Sequence, residues 1–245
     1  MNAAASVLFL LDIDSTLVTT GGSGLAAMEE TGRALVGPEF SVKGVDFAGR
    51  LDTLIIPELL TRHGVRPTRE ALAAFRSTYA RHLPRHLERN RDKARALPGA
   101  LESVRVLLAS PRAAMGLVTG NFAETGSMKL SACGFDPAWF IFSGWGDADG
   151  DGAHEAEQGR LPTRDALPRI AAEHFERHHG RRPSRVVVVG DTPHDIRCAK
   201  VNGFVGCGVA TGHFSVEQLR ACGADEVWPT LESMPAYIAK VLEGA

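Results

Sequence analysis

At 245 residues, with 44% hydrophobic and 23% charged side chains, the chain can bury a sizeable core, either as one large α/β domain or as a core with a smaller insert. Its net charge of -2 singles out no class of partner, residues 1–6 are too short and uncharged for a signal peptide, and no apolar run approaches a membrane span. A cytoplasmic protein with no membrane association is expected. Cys133, Cys198, Cys207 and Cys222 show no C-x-x-C spacing and lie among apolar or small residues, which reads as reduced core thiols.

Residues 8–11 form an apolar run of strand length that leads into Asp12-Ile13-Asp14-Ser15-Thr16. Period 2 sends both acids the same way, where they repel when ionised unless a cation or a shared proton relieves them. A divalent metal with oxygen ligands, such as magnesium, is the natural relief. Beyond residues 21–24 the spacing predicts a helix over 25–36, then a loop over 46–52 that leads into a helix through residue 60. Residues 68–95 read as helical with an interruption at Pro84. No strand signal stands between residues 18 and 97, so this block is expected to be an all-helical insert.

A helix over 100–109 opens an alternating series. It continues with a strand over 113–119, a helix over 122–133, a short strand over 139–143 and a helix over 163–178. An apolar strand over 185–189 is followed by a helix over 193–201, a strand over 204–210 and a helix over 215–221. A small strand over 226–228 and a helix over 231–242 complete the chain. The expected fold is α/β: a doubly wound parallel sheet over 1–18 and 97–245, with a helical cap over 19–96.

Three apolar strands end in polar residues: Asp12 with Asp14, Thr119-Gly120-Asn121, and Gly190-Asp191-Thr192 with Asp195 beyond. As parallel neighbours they would converge on one crevice at the carboxyl edge of the sheet. Taken together, these motifs resemble the haloacid dehalogenase superfamily, in its phosphatase branch with a helical cap. Residues 190–195 look like the phosphoglycolate phosphatase group, whereas Ser15 is similar to the phosphoserine phosphatases.

The resemblance implies a magnesium-dependent phosphatase acting on a small phosphorylated metabolite, phosphoglycolate-like or a sugar phosphate, through an aspartyl phosphate. By that resemblance Asp12 is the nucleophile and Asp14 the general acid and base. Thr119, Gly120 and Asn121 hold the phosphoryl oxygens, and Mg2+ is held by Asp12, Asp191 and the Asp14 carbonyl, with Asp195 in support. Relatives place a cation, usually lysine, ahead of the third acidic strand. The segment 159–165 contains no lysine, so Arg164 takes that part, with Arg160 in reserve. In the cap loop, Arg50 and Asp52 are the candidates for substrate contact.

A dehalogenase needs no acid at Asp14, so dehalogenation ranks low. A phosphomutase of the beta-phosphoglucomutase type and a non-catalytic binding relative remain the alternatives. Residues 62–95 carry ten Lys or Arg against Glu70, Glu88 and Asp92, a field that would either steer an anionic metabolite or simply face water. With only Phe75 and Tyr79 among those bases, nucleic-acid binding is not expected. Residues 147–152 imitate a calcium loop but have Gln158 at the twelfth position, so an acidic loop is the reading there. His154, His178 and His179 are assigned no role. Oligomeric state is left open.

Overall fold

The computed structural model describes residues 6–150 and 161–244. Strand β1 (Val7–Leu11) has every side chain buried. It lies between β4 (Ala113–Leu117) and β5 (Arg185–Gly190), and the sheet continues through β6 (Val205–Val209) to β7 (Glu226–Trp228), in the order β4-β1-β5-β6-β7. All four pairings are parallel. Parallel strands need crossovers that cover both faces, and the composition supplies them: VLFLL and RVVVVG are apolar on both sides.

Alternation sorts the strand side chains into two cores. Val7, Phe9, Leu11, Val187 and Val189 face a cluster that includes Val104 of α4 (Ala100–Ala109), Leu130 of α5 (Ala123–Ala132) and Ile238 of α9 (Met234–Glu243). Leu8, Leu10, Val186 and Val188 face Leu167, Ala171 and Phe175 of α6 (Leu167–His179) and Cys198 of α7 (Pro193–Val201). A short helix α8 (Val216–Ala221) joins β6 to β7.

The segment between β1 and α4 folds as three helices, α1 (Ser23–Leu35), α2 (Asp52–Arg62) and α3 (Arg69–Arg89). Ala27, Phe40, Ile55, Leu59, Phe75, Tyr79 and Leu83 form a third apolar cluster there. The segment is not wholly helical. Its two stems pair as the antiparallel ribbon β2 (Val18–Thr19) and β3 (Arg95–Ala96), which brings the entry and the exit of the segment together. Helix α3 also runs through Pro84 unbroken, because Leu83 and Leu87 on either side of it are buried. Packing there outweighs the missing amide.

Two expectations along the core need correction. Residues 139–143 do not form a strand: a 3-10 turn over Pro137–Trp139 precedes them, and the hydroxyl of Ser143 takes the Leu117 amide that a backbone carbonyl would have received. Of that pairing there survive the bridge between Val118 and Gly144 and the Phe142 amide donating to the Met115 carbonyl (3.4 Å). The helix expected from residue 163 opens instead with a 3-10 turn, Arg164–Ala166, before α6 with Pro168 in its first turn. Cys133, Cys198 and Cys207 are buried, but Cys222 is exposed and is no core thiol.

Candidate active site

Register decides what meets at the carboxyl edge. Leu11 pairs with Leu117 on one side and Val189 on the other, so the next residues of three strands emerge side by side. The Asp12 amide donates to the Val189 carbonyl (2.9 Å), and the Val118 amide donates to the Leu11 carbonyl (3.0 Å). Asp12, Thr119 and Asp191 are thereby brought to the floor of one crevice of about 530 Å3, lined also by Asp14, Gly120, Asn121, Arg50, Asp52 and Arg164. Of the predicted site residues only Asp195 stands behind it.

Arg164 lies at the centre of the acids. Its Nη2 donates to Asp12 Oδ1 (2.9 Å), to Asp195 Oδ1 (2.5 Å) and to the Val118 carbonyl (3.0 Å), while its Nε is buried without a partner. The 3-10 turn aims it inward, since the Thr163 hydroxyl caps that turn by accepting from the Asp165 amide. Asp195 is spent on structure: its Oδ2 accepts from the Thr192 amide and hydroxyl in a capping box at the start of α7.

Asp12, Asp191 and Asp195 present carboxylate oxygens within 4.8 Å of one another. Burial pushes the Asp12 carboxyl up to about 7 against the pull of Arg164. Burial, then the charges of Asp12 and Asp195, push Asp191 to about 8. Such an all-oxygen, electron-rich set suits a hard divalent cation. Gly212 shapes it, for a Cβ there would lie 1.9 Å from Asp191 Oδ2. Because both oxygens of Asp195 are engaged, Asp12 and Asp191 are the side chains left for a metal. Thr16, buried, donates to Asp191 Oδ1 (3.2 Å).

Asp14 sits apart from this set, its side chain 44% exposed. Its Oδ2 accepts from Lys129 Nζ (2.7 Å) and Asn121 Nδ2 (2.8 Å), and Lys129 also donates to Asn121 Oδ1 (2.6 Å). Asn121 Nδ2 donates in turn to Thr119 Oγ1 (2.8 Å). The Asn121 side chain therefore ties Asp14 to Lys129 and Thr119. Sequence reasoning missed Lys129, whose place on α5 reads as an ordinary helix cation; burial opposes its charge, and the nearby Asp14 and Asp52 outweigh burial and hold it charged. It also missed Thr16, Gly212 and Tyr79.

The cap loop packs on the core through its backbone. The Asp52 amide donates to the Gly120 carbonyl (2.8 Å), and a Cβ at Gly120 would lie 1.9 Å from the Arg50 carbonyl, so only glycine fits. The Arg50 guanidinium is held by Glu58 (2.7 Å) and the Asp46 carbonyl (3.0 Å). Asp52 is 6% exposed, its Oδ2 has no partner, and burial raises its carboxyl to about 7 although Lys129 pulls the other way. A carboxyl raised in the folded state favours folding below its unfolded value near 3.8 and loses that advantage as pH climbs to 7. Asp52→Asn should therefore match wild type in chemical denaturation near pH 4 and exceed it at pH 8 by up to about 4 kcal/mol.

The positive field of residues 62–95 is paired in part. Arg85 and His86 meet Glu30, and Arg91 meets Glu88. Arg76 grips Glu124 in two bonds and also reaches Asp147 (2.8 Å), which fastens α3 to α5 and uses one acid of the calcium-like loop. Arg160, His154 and Gln158 lie outside the described residues. No described helix is long and apolar enough to cross a membrane.

The sequence matches the family model of haloacid dehalogenase-like hydrolases over residues 9–200, and a second model of hydrolases of this type over 162–240. No curated protein matches it. Among solved structures, a hydrolase from Pseudomonas syringae is 20% identical with a TM-score of 0.63, over 97% of this chain and 99% of that one. A predicted phosphoglycolate phosphatase from Haemophilus somnus is 14% identical with a TM-score of 0.64, over 96% and 98%. A provisionally named beta-phosphoglucomutase from Thermotoga maritima is 17% identical with a TM-score of 0.61, over 96% and 99%. At such identities these structures speak for the fold alone, but the family model covers most of the chain: this protein belongs to the haloacid dehalogenase-like hydrolases.

Proposed function

We propose that the chain is a magnesium-dependent phosphatase of a small phosphorylated metabolite. The observation that carries this reading is the placement of Asp12 on the crevice floor between Arg164 and Asp191, with Asp14 two residues on and bound by a separate pair of donors. A carboxylate of Asp12 attacks phosphorus while the bond to the leaving alcohol oxygen breaks. Asp14 gives that oxygen a proton, then takes one from the water whose oxygen attacks the aspartyl phosphate, releasing inorganic phosphate and restoring Asp12. Since Lys129 and Asn121 occupy Oδ2 of Asp14, its other oxygen is the one free to carry the proton. Asp12, Asp191 and the Asp14 carbonyl would hold Mg2+, which supplies charge neutralisation for the phosphoryl oxygens when bound.

The test is phosphate release from a panel of phosphomonoesters with and without magnesium. Release that depends on the metal supports the reading. Isomerised product without release would point to a phosphomutase, and no turnover of any ester to a binding relative. Magnesium at 100 times its Kd should add about 2.7 kcal/mol of stability, or roughly 5–10 °C in melting temperature for a domain of this size. The Asp191→Asn chain should show no such shift.

A further inference from the structure

The charges around the crevice bear on which alcohol the phosphate is attached to. Its lining includes five carboxylates, those of Asp12, Asp14, Asp46, Asp52 and Asp191, against three side chains that are always cationic. Each of those cations is already engaged: Arg164 by Asp12 and Asp195, Arg50 by Glu58, and Lys129 by Asp14. His213 is the remaining lining group able to carry positive charge. Among the described residues, a second anion on the substrate, beyond the phosphate, would find no cation without an acidic partner except His213.

Unspent hydrogen-bonding groups, by contrast, cluster beside Asp14. The Tyr79 hydroxyl is fully buried and has no partner, and Asp52 Oδ2 has none either, although both residues line the crevice. Lys129 uses two of its three N–H groups on Asp14 and Asn121. Gly24 borders this place: a Cβ there would lie 3.4 Å from Lys129 Nζ and 3.5 Å from the Tyr79 oxygen, ordinary contact distances. A buried hydroxyl and a buried carboxyl oxygen without partners are costly to leave so. A substrate hydroxyl can donate to one and accept from the other, whereas a carboxylate can only accept.

Resting on the phosphatase reading above, we propose that this crevice selects phosphate monoesters of uncharged, hydroxyl-bearing alcohols, the sugar and polyol phosphates, and rejects alcohols that carry a carboxylate. Tyr79 and Asp52 are the specificity residues. A site built to bond a substrate hydroxyl discriminates strongly against an analogue that cannot complete its bonds.

Glycerol 3-phosphate and 3-phosphoglycerate form a matched pair, differing in a CH2OH against a carboxylate, with p-nitrophenyl phosphate as the generic ester. The wild-type chain should show a kcat/KM for glycerol 3-phosphate at least about 10-fold above that for 3-phosphoglycerate. Tyr79→Phe and Asp52→Asn, each nearly isosteric, should each lower that ratio by about 10-fold, through a raised KM for the polyol ester. Equal or faster turnover of 3-phosphoglycerate by wild type, or a ratio that neither substitution moves in protein that melts no lower than wild type, would overturn the proposal. Turnover of p-nitrophenyl phosphate alongside such a result leaves the phosphatase reading standing, whereas failure on all three esters ends both.

Discussion

An Asp12→Asn chain is expected to fold normally and to lose at least about 1,000-fold in phosphate release from any phosphomonoester, because an amide cannot form the acyl phosphate on which the two-step route depends. The fold should tolerate the change. Asn keeps the shape, Arg164 retains Asp195 and the Val118 carbonyl as partners, and one of three crowded buried carboxylates is removed. Without magnesium the variant should melt no lower than wild type, since burial and the Asp195 and Asp14 charges oppose ionisation of Asp12.

Asp14→Asn provides the matching control. It should lose about 100- to 10,000-fold on alkyl phosphates, whose alkoxide needs a proton, and clearly less on p-nitrophenyl phosphate, whose leaving group does not. Near-wild-type turnover by Asp12→Asn would sink the covalent route, and an equal loss on both ester types would remove Asp14 from the part of acid.

The core was readable from the sequence because its physics is local. VLFLL and RVVVVG announce strands buried on both faces, and an acid directly after each points to the carboxyl edge. Arg164 came from the family resemblance, which calls for a cation in a segment where residues 159–165 hold no lysine, and the fold sets it beside Asp12. What escaped depends on long-range packing. Lys129 stands between Met128 and Leu130 on α5 with nothing local to mark it, and only the fold turns it inward to Asp14, 115 residues away in the chain. Tyr79 stands out in the sequence only as an aromatic among basic residues, and the fold buries it in the cap cluster at the edge of the crevice. The stems β2 and β3 are two residues each, too short for alternation to register. The strand expected over 139–143 failed on the Ser143 hydroxyl, whose competition for a ladder amide no periodicity shows.

Arg164 tests the site most severely, since it answers two buried acids at once. Arg164→Ala would leave Asp12 and Asp195 facing each other without a cation, and removing one partner of a buried ion pair costs about 3–5 kcal/mol. A loss of that size is a large share of a domain's stability, so the chain should melt about 6–20 °C lower or fail to accumulate. Arg164→Lys separates charge from shape. Lysine restores the charge usual in relatives, but as a point charge it cannot hold Asp12, Asp195 and the Val118 carbonyl in the fixed fork of a guanidinium. It should recover most of the stability while leaving phosphate release at least about 10-fold below wild type. If Arg164→Ala melts as wild type does, the acids are not held apart by this cation. If it also turns over normally, the neutralising charge comes from elsewhere, and the arrangement of Asp12 between Arg164 and Asp191 loses its meaning for catalysis.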